Sequence, residues 1–275
     1  MTSSDGLTVS ATELHSLTSS QEETDTRVIL YALSGASNGY EVVKVRSPDS
    51  DIFFILLHHS SKIAADILFD TGYGNKRRLI NVSHLANLYG QQKCSALMAL
   101  HAYTGCDMTS SFKGIGKLKP LKILQSCGEY EETLGNLGNK LDISEHSLSV
   151  LQKFTCSIYG NKNFDSIDML RLHLLKRKCD NKDLLDSRKR VDLSSLPPCL
   201  ASLKQHIIRT NYQVAIWKMA DQNFPEISSP EENGWMKENN LLEPLWCEGE
   251  VLPAELVSLF EEKDNCESDI LEMDI

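Results

Sequence analysis

The sequence predicts an α/β fold, with a mostly parallel sheet in the first half of the chain and a helical extension after it. In residues 20–125, short β-branched or apolar segments alternate with segments of helical spacing, which is the order expected of parallel strands joined by helices. After residue 125 the apolar residues follow the helical period. A chain of 275 residues is long enough for one large domain or two small ones.

The first predicted helix covers about residues 21–34. Ser20 is its expected N-cap, and Glu22 and Glu23 in the first turn are favoured by the helix dipole. Gly35 is expected to end it.

The predicted strands follow this helix. Residues 40–46 (YEVVKVR) are β-branched and predict a strand, whereas the apolar segment 52–57 is too short to assign from periodicity. Further along, the pattern predicts strands at 67–69 and 77–82 and a helix at 83–89.

The second half is predicted to be helical. Residues 144–159 form an expected helix capped by Ser144, and residues 165–178 form another. Pro197-Pro198 marks a boundary before a long amphipathic helix over 199–219. Beyond Phe224 the prolines predict an extended arm that docks Trp235 and Trp246, with little order after about Phe260.

The composition excludes several classes of protein. The longest apolar run, residues 52–57, is far shorter than the roughly 20 residues of a membrane helix. The N-terminal residues lack the basic and apolar regions of a secretory signal. The eight cysteines are scattered without a Cys-x-x-Cys pair, which argues against a zinc knuckle or a disulfide framework. We therefore expect reduced thiols in an intracellular protein, nuclear or cytoplasmic.

The net charge of −10 is concentrated at the end of the chain. Residues 248–275 hold ten Asp or Glu residues and one lysine, a net charge of −9. Residues 1–247 hold 28 acids and 27 bases and are close to neutral. The acidic total therefore does not exclude a nucleic-acid partner.

Five carboxylates form a candidate metal site. Asp49 and Asp51 follow the predicted strand 40–46, at the sheet edge where α/β proteins bind ligands. Glu23 and Asp25 begin the preceding helix, and Asp107 offers a further oxygen ligand. Such a group needs a cation, and Mg²⁺ or Mn²⁺ would suit it for hydrolysis of phosphodiesters. The structural alternative is that these acids serve a turn and a helix start.

A second candidate feature is the Gly-Ile-Gly-Lys turn. Its glycines, Gly114 and Gly116, would let backbone amides approach an anion. The lysines expected to hold phosphate are Lys113, Lys117, Lys119 and Lys122. A P-loop is excluded, because the spacing Gly-x4-Gly-Lys-Ser/Thr is missing.

These motifs, in this order, resemble those of the flap-endonuclease (XPG-type) nucleases of the PIN-like superfamily. The shared order is Glu-x-Asp, then Ser-x-Asp-x-Asp about 25 residues later, then Gly-x-Asp followed by Gly-Ile-Gly-Lys, over residues 20–125. The resemblance implies a Rossmann-like core with a helix–hairpin–helix turn that grips duplex backbone. By position, the matching residues are Glu23, Asp25, Asp49, Asp51 and Asp107 for the two metals, and Gly114, Gly116 and Lys117 for the hairpin. The chain also resembles uncharacterised transposon-associated proteins with EExDTR, SPDxD, TGCDxTSxFxGxGK and LPPC…NYQ…W.

The chain departs from this family at two places. Only about 20 residues precede Glu23, too few for the family's first strand and helical arch, and Asp5 is no convincing substitute for its first acid. The Pro-Lys after the hairpin glycines is changed to Lys117-Leu118-Lys119-Pro120. We therefore expect the later part of such a domain. The expected divisions are a lead-in (1–19), a partial nuclease core (20–125), a helical extension (126–222) and an arm with an acidic tail (223–275).

Three functions follow from these patterns. The first is metal-dependent hydrolysis of nucleic acid, with DNA favoured over RNA. The second is binding of nucleic acid without cleavage, and the third is protein interaction through residues 225–275. The basic clusters 176–178 and 188–190 fit a nuclear signal or backbone contacts, but equally a solvated helix face.

Overall fold

The computed structural model describes residues 2–3, 9–10, 14–179 and 193–249. Two compact units divide the chain: the first comprises Met1–Met98 and Ala215–Ile227, and the second Ala99–Val214 and Ser228–Ile275. The described helices are α1 Thr24–Ser37, α2 Ser50–His59, α3 Val82–Tyr89, α4 Gln91–Tyr103, α5 Leu118–Leu124, α6 Gly128–Asn136, α7 Glu145–Ile158, α8 Ile167–Cys179 and α9 Leu200–Lys218. The described strands are β1 Thr2–Ser3, β2 Val9–Ser10, β3 Val42–Arg46, β4 Asp66–Thr71, β5 Arg78–Asn81, β6 Trp235–Glu238 and β7 Leu241–Pro244.

The first unit is built on a three-stranded sheet in the order β3-β4-β5. Strand β3 is parallel to β4, with Arg46 opposite Asp70, but β4 is antiparallel to β5. The prediction of an α/β fold is confirmed, and the prediction of a mostly parallel sheet is wrong for the described strands. The segment between β4 and β5 is too short for the crossover of a dozen or more residues that parallel strands need. The PIN-like assignment stays a prediction.

Helix α2 joins the two parallel strands. It contains residues 52–57, the apolar segment that periodicity could not assign. The Asp49 carboxylate accepts a hydrogen bond from the Asp51 N–H at 2.9 Å and caps the helix. Ile55 and Leu56 are fully buried on its inner face. Strand β3, helix α2 and strand β4 therefore form a β-α-β unit.

Helix α1 begins and ends three residues later than predicted. Its N-cap is Glu23 rather than Ser20, because Gln21 is held outside the helix: its side-chain amide donates to the carbonyl oxygens of Ala220, at 3.1 Å, and Gln222. Gly35 does not end α1, which continues to Ser37. A Cβ at Gly35 would lie 3.3 Å from a methyl group of Val43 in β3. Gly35 lets the helix pack closely on β3.

The predicted helices of the second half are confirmed. Ser144 caps α7, with its hydroxyl accepting from the Ser147 N–H at 3.1 Å. Helices α8 and α9 begin within two residues of their predicted starts. No helix in the described ranges is long and apolar enough to span a membrane.

The predicted extended arm is instead a β-hairpin of β6 and β7. The turn residues Asn239 and Asn240 both have positive φ, as a tight primed turn between antiparallel strands requires. Trp235 is half-buried, but Trp246 is 60% exposed, so the prediction that both tryptophans dock is wrong for Trp246. The expected disorder after Phe260 lies outside the described residues.

Two buried histidines in α2 make the first unit sensitive to acid. Burial, followed by the charge of His59, lowers the pKa of His58 to about 3, and burial also lowers the pKa of His59. His58 Nδ1 lies 3.1 Å from Ser95 Oγ, and His59 Nε2 lies 2.8 Å from the carbonyl oxygen of Trp217. Both are therefore neutral in the folded chain at neutral pH.

We expect the free energy of unfolding to fall as the pH drops below about 6.5. In that range the histidines bind protons in the unfolded chain but stay unprotonated in the folded chain. His58 accounts for about 1 kcal/mol of this loss between about pH 7 and pH 5.5, and His59 adds to it in the same direction. Urea unfolding at both pH values measures it. His58→Gln should reduce the loss of unfolding free energy between the two pH values, whereas the exposed control His84→Gln should leave that loss unchanged. An equal loss in both variants would contradict the role given to His58.

Candidate nucleic-acid interface

The paired aspartates lie where a parallel strand ends, as the sequence predicted. Asp49 and Asp51 occupy the start of α2, directly after β3. One carboxylate oxygen of Asp49 accepts the hydrogen bond that caps α2. The Asp51 residue is buried, at 7% exposure. Asp49 is therefore a helix cap, whereas the structural alternative from the sequence was a turn with solvated side chains.

Glu23 and Asp25 begin α1 and are half-buried. Helix α1 packs against both α2 and β3, and the chain reverses between α1 and β3, with the Tyr40 N–H bonded to the Gly35 oxygen at 3.2 Å. The start of α1 and the end of β3 therefore lie at the same end of the first unit. Topology thus brings the two acid pairs to one sheet edge.

The Mg²⁺ or Mn²⁺ site expected from the five acids stays a prediction. Among the residues the structure describes, no group of three or more His, Cys, Asp or Glu side chains is arranged to hold a metal ion. One carboxylate oxygen of Asp49 is already engaged by the helix-capping hydrogen bond.

Asp107, the fifth predicted ligand, belongs to the second unit and is exposed. It lies in a tight turn closed by backbone bonds between Cys106 and Thr109. Gly105 precedes the turn at a φ of +110°, and a Cβ there would lie 2.7 Å from the Ser111 Cβ. This loop holds the Asp107 carboxylate in solvent.

Sequence reasoning missed Asp70, a buried carboxylate of the first unit that three cations contact. Its side chain is 1% exposed and lies 2.8 Å from Arg77 Nε, 3.4 Å from Lys44 Nζ and 3.5 Å from an Arg46 nitrogen. The hydrogen bond from Arg77, followed by that from Lys44, holds its pKa well below the usual range. The alternating charges Lys44 and Arg46 in an otherwise β-branched strand were the available signal.

Lys117 of the Gly-Ile-Gly-Lys turn serves the end of α4. Its ammonium donates to the His101 oxygen at 2.9 Å, the Gly105 oxygen at 2.6 Å and Thr104 Oγ1 at 3.3 Å. A cation at the C-terminal end of a helix is favoured by the helix dipole. A phosphate contact by Lys117 would require these bonds to break.

The rest of the turn faces solvent. Gly114 has a φ of +76°, with nothing within 4 Å of the place where a Cβ would stand, and Gly116 is equally open. Lys113 donates to Ser194 Oγ, and Lys119 Nζ lies 3.5 Å from where a Cβ of Gly160 would stand. Lys113 thereby joins the turn to a pocket in the second unit.

This pocket, the cationic pocket hereafter, has a volume of about 360 Å³. Its walls carry the cations Lys113, Arg171 and Arg209. They also carry three aromatic rings, those of Phe112, Tyr159 and Trp246, and four serine hydroxyls. Among the described residues, no carboxylate lines it. The pocket is therefore positively charged and partly apolar.

The two arginines keep their charge although both make hydrogen bonds. Arg209 is 3% exposed and donates to the carbonyl oxygens of Gly234, at 3.0 Å, and Leu245. Arg171 donates to the Pro197 oxygen. Burial lowers the pKa of Arg209, but a guanidinium stays protonated in proteins. Because carbonyl oxygens carry no net charge, neither arginine is neutralised by these partners.

The remaining titratable groups of the pocket are neutral at pH 7. Burial lowers the pKa of His206 to about 4, and its ring nitrogens meet the Tyr103 oxygen at 2.9 Å and Ser110 Oγ at 3.3 Å. The nitrogen that faces the carbonyl must carry the hydrogen, so the other accepts from Ser110. Burial raises the pKa of Tyr159 to about 12, which keeps its hydroxyl a donor.

Comparisons of the chain with protein-family models, curated proteins and solved structures found no match.

We expect Asp70→Asn to lower the melting temperature at neutral pH, because three cations lose their shared carboxylate. The stabilisation by Asp70 is present above the ordinary pKa of 3.8 and is lost as the pH falls through the lower folded pKa. The gap to wild type should therefore narrow in acid. Asp66→Asn, exposed at the start of the same strand, is the matched control; equal melting of the two variants would count against the cluster.

We expect Lys117→Met to destabilise the chain by about 1–2 kcal/mol, through loss of charged hydrogen bonds at the end of α4. Lys119→Met, two residues on and exposed, should change stability by less than about 0.5 kcal/mol. Urea unfolding compares them. If Lys117→Met unfolds like wild type, the capping role is wrong.

Proposed function

We propose that the chain binds nucleic acid through its phosphate groups, with the cationic pocket as the contact surface. The observation that carries this proposal is that three cations and no carboxylate are among the described residues that line the pocket. Nucleic-acid backbone is a polyanion, and its neutralisation by Lys and Arg dominates binding affinity.

Two further features support the proposal. Lys113, which the sequence assigned to phosphate binding, stands in the pocket wall beside the open Gly114 turn. Lys178 lies two helical turns beyond Arg171 on α8 and donates to Ser195 Oγ, next to the pocket residue Ser194. Arg171 and Lys178 therefore place two cations on one face of α8.

Binding of labelled oligonucleotides, followed by fluorescence anisotropy over a range of salt concentrations, tests the proposal. We expect Lys113→Gln and Arg171→Gln each to weaken binding about fivefold and to reduce the salt dependence by about one phosphate contact. Lys140→Gln, exposed elsewhere in the second unit, is the matched control. Absent binding at low salt, or equal losses in all three variants, would overturn it.

Phosphodiester hydrolysis is the second candidate function. It is favoured by the two acid pairs, Glu23 with Asp25 and Asp49 with Asp51, which begin packed helices at one sheet edge. Cleavage of flap and single-stranded DNA with added Mn²⁺ tests it. Hydrolysis requires that wild type cut and that Asp49→Ala fail to cut; cleavage that survives this substitution or chelation of the metal would rule out hydrolysis.

A further inference from the structure

We propose that the cationic pocket takes one unpaired nucleotide, with its base against the aromatic wall and its phosphate on the cations, so that single strands bind in preference to duplex. This inference rests on the proposed function and deepens it. It commits the pocket to a ligand with a planar apolar body and an anionic group.

The size of the pocket suits one nucleotide. A volume of about 360 Å³ lies at the lower end of the range for small-molecule sites, roughly 300–1,000 Å³. A base within a duplex is stacked and paired on all sides, so it enters such a pocket only after leaving the helix. An unpaired base enters without that penalty. The pocket therefore discriminates by shape between single strand and duplex.

The aromatic wall, formed by Phe112, Tyr159 and Trp246, offers a stacking surface chiefly through the exposed ring of Trp246. The Arg209 guanidinium carbon lies 5.4 Å from the centre of the Trp246 ring, and the ring remains 60% exposed. Arg209 thus fixes the indole in place and leaves much of it open to a ligand. Tyr159 and Phe112 meet edge to face at 88°, with ring centres 6.2 Å apart. Stacking of a base on an aromatic side chain is worth about 1–3 kcal/mol and tolerates any base.

The polar groups are placed for the other half of a nucleotide. Lys113 and Arg171 supply the positive charge for a phosphate, and the hydroxyls of Ser194 and Ser202 also line the pocket. Tyr159 keeps its phenolic proton and adds a donor. An acidic peptide would satisfy the cations but would leave the aromatic wall without a stacking partner.

The test compares oligothymidine with blunt duplex of equal length, using the full chain and anisotropy at fixed salt. We expect tighter binding of the single strand, and about a tenfold fall in the ratio of the two affinities in Trp246→Leu. Trp246→Phe, which keeps a ring, should restore most of the ratio. Phe224→Leu, an equally exposed aromatic outside the pocket, is the matched control.

A competition arm identifies the ligand chemistry. Adenosine monophosphate should displace the labelled strand more strongly than adenosine or inorganic phosphate alone. Only the nucleotide has both a base for the aromatic residues and a phosphate for the cations. Duplex bound as tightly as single strand, an unchanged ratio in Trp246→Leu, or displacement by an acidic peptide but not by the nucleotide would overturn this inference while the proposed function stands. Absence of all nucleic-acid binding would instead remove the proposed function.

Discussion

The second unit depends on one buried guanidinium. Arg209 extends from α9 to the carbonyl oxygens of Gly234 and Leu245, the residues on either side of the β6–β7 hairpin. Gly234 must be glycine, since its φ is +84° and a Cβ would lie 2.8 Å from the Arg209 side chain. The same guanidinium sits over Trp246. Hairpin, helix and pocket wall are therefore held by a single charged group, which also lines the pocket.

Local chemistry made some of this structure predictable. Ser144 and the helical period of 144–159 predict α7, because the capping residue and the apolar face both belong to one continuous segment. The direction of β5 was not predictable in the same way, since it depends on the length of the β4–β5 connection rather than on strand residues. Helix α1 shifted because Gln21 bonds to a segment some 200 residues away. Long-range contacts override local signals.

The candidate site divides in the same manner. Spacing placed Asp49 and Asp51 at the end of β3, but spacing alone does not separate a metal ligand from a helix cap, because both roles use a carboxylate beside free N–H groups. The cationic pocket draws residues from separate segments between Ser110 and Trp246. No short motif contains it. Only Lys113 was chosen from the sequence, for its place beside the glycine turn.

Strand β3 is an edge of the three-stranded sheet, and its outer face carries Lys44 and Arg46 at alternate positions. Unpaired strand edges invite a second chain to add a strand, and lysine and arginine side chains oppose that addition by charge repulsion and desolvation. The same two side chains also reach Asp70 on the neighbouring strand. Lys44 and Arg46 therefore have two roles, as ion-pair partners of Asp70 and as edge charges that discourage edge-to-edge aggregation of the chain.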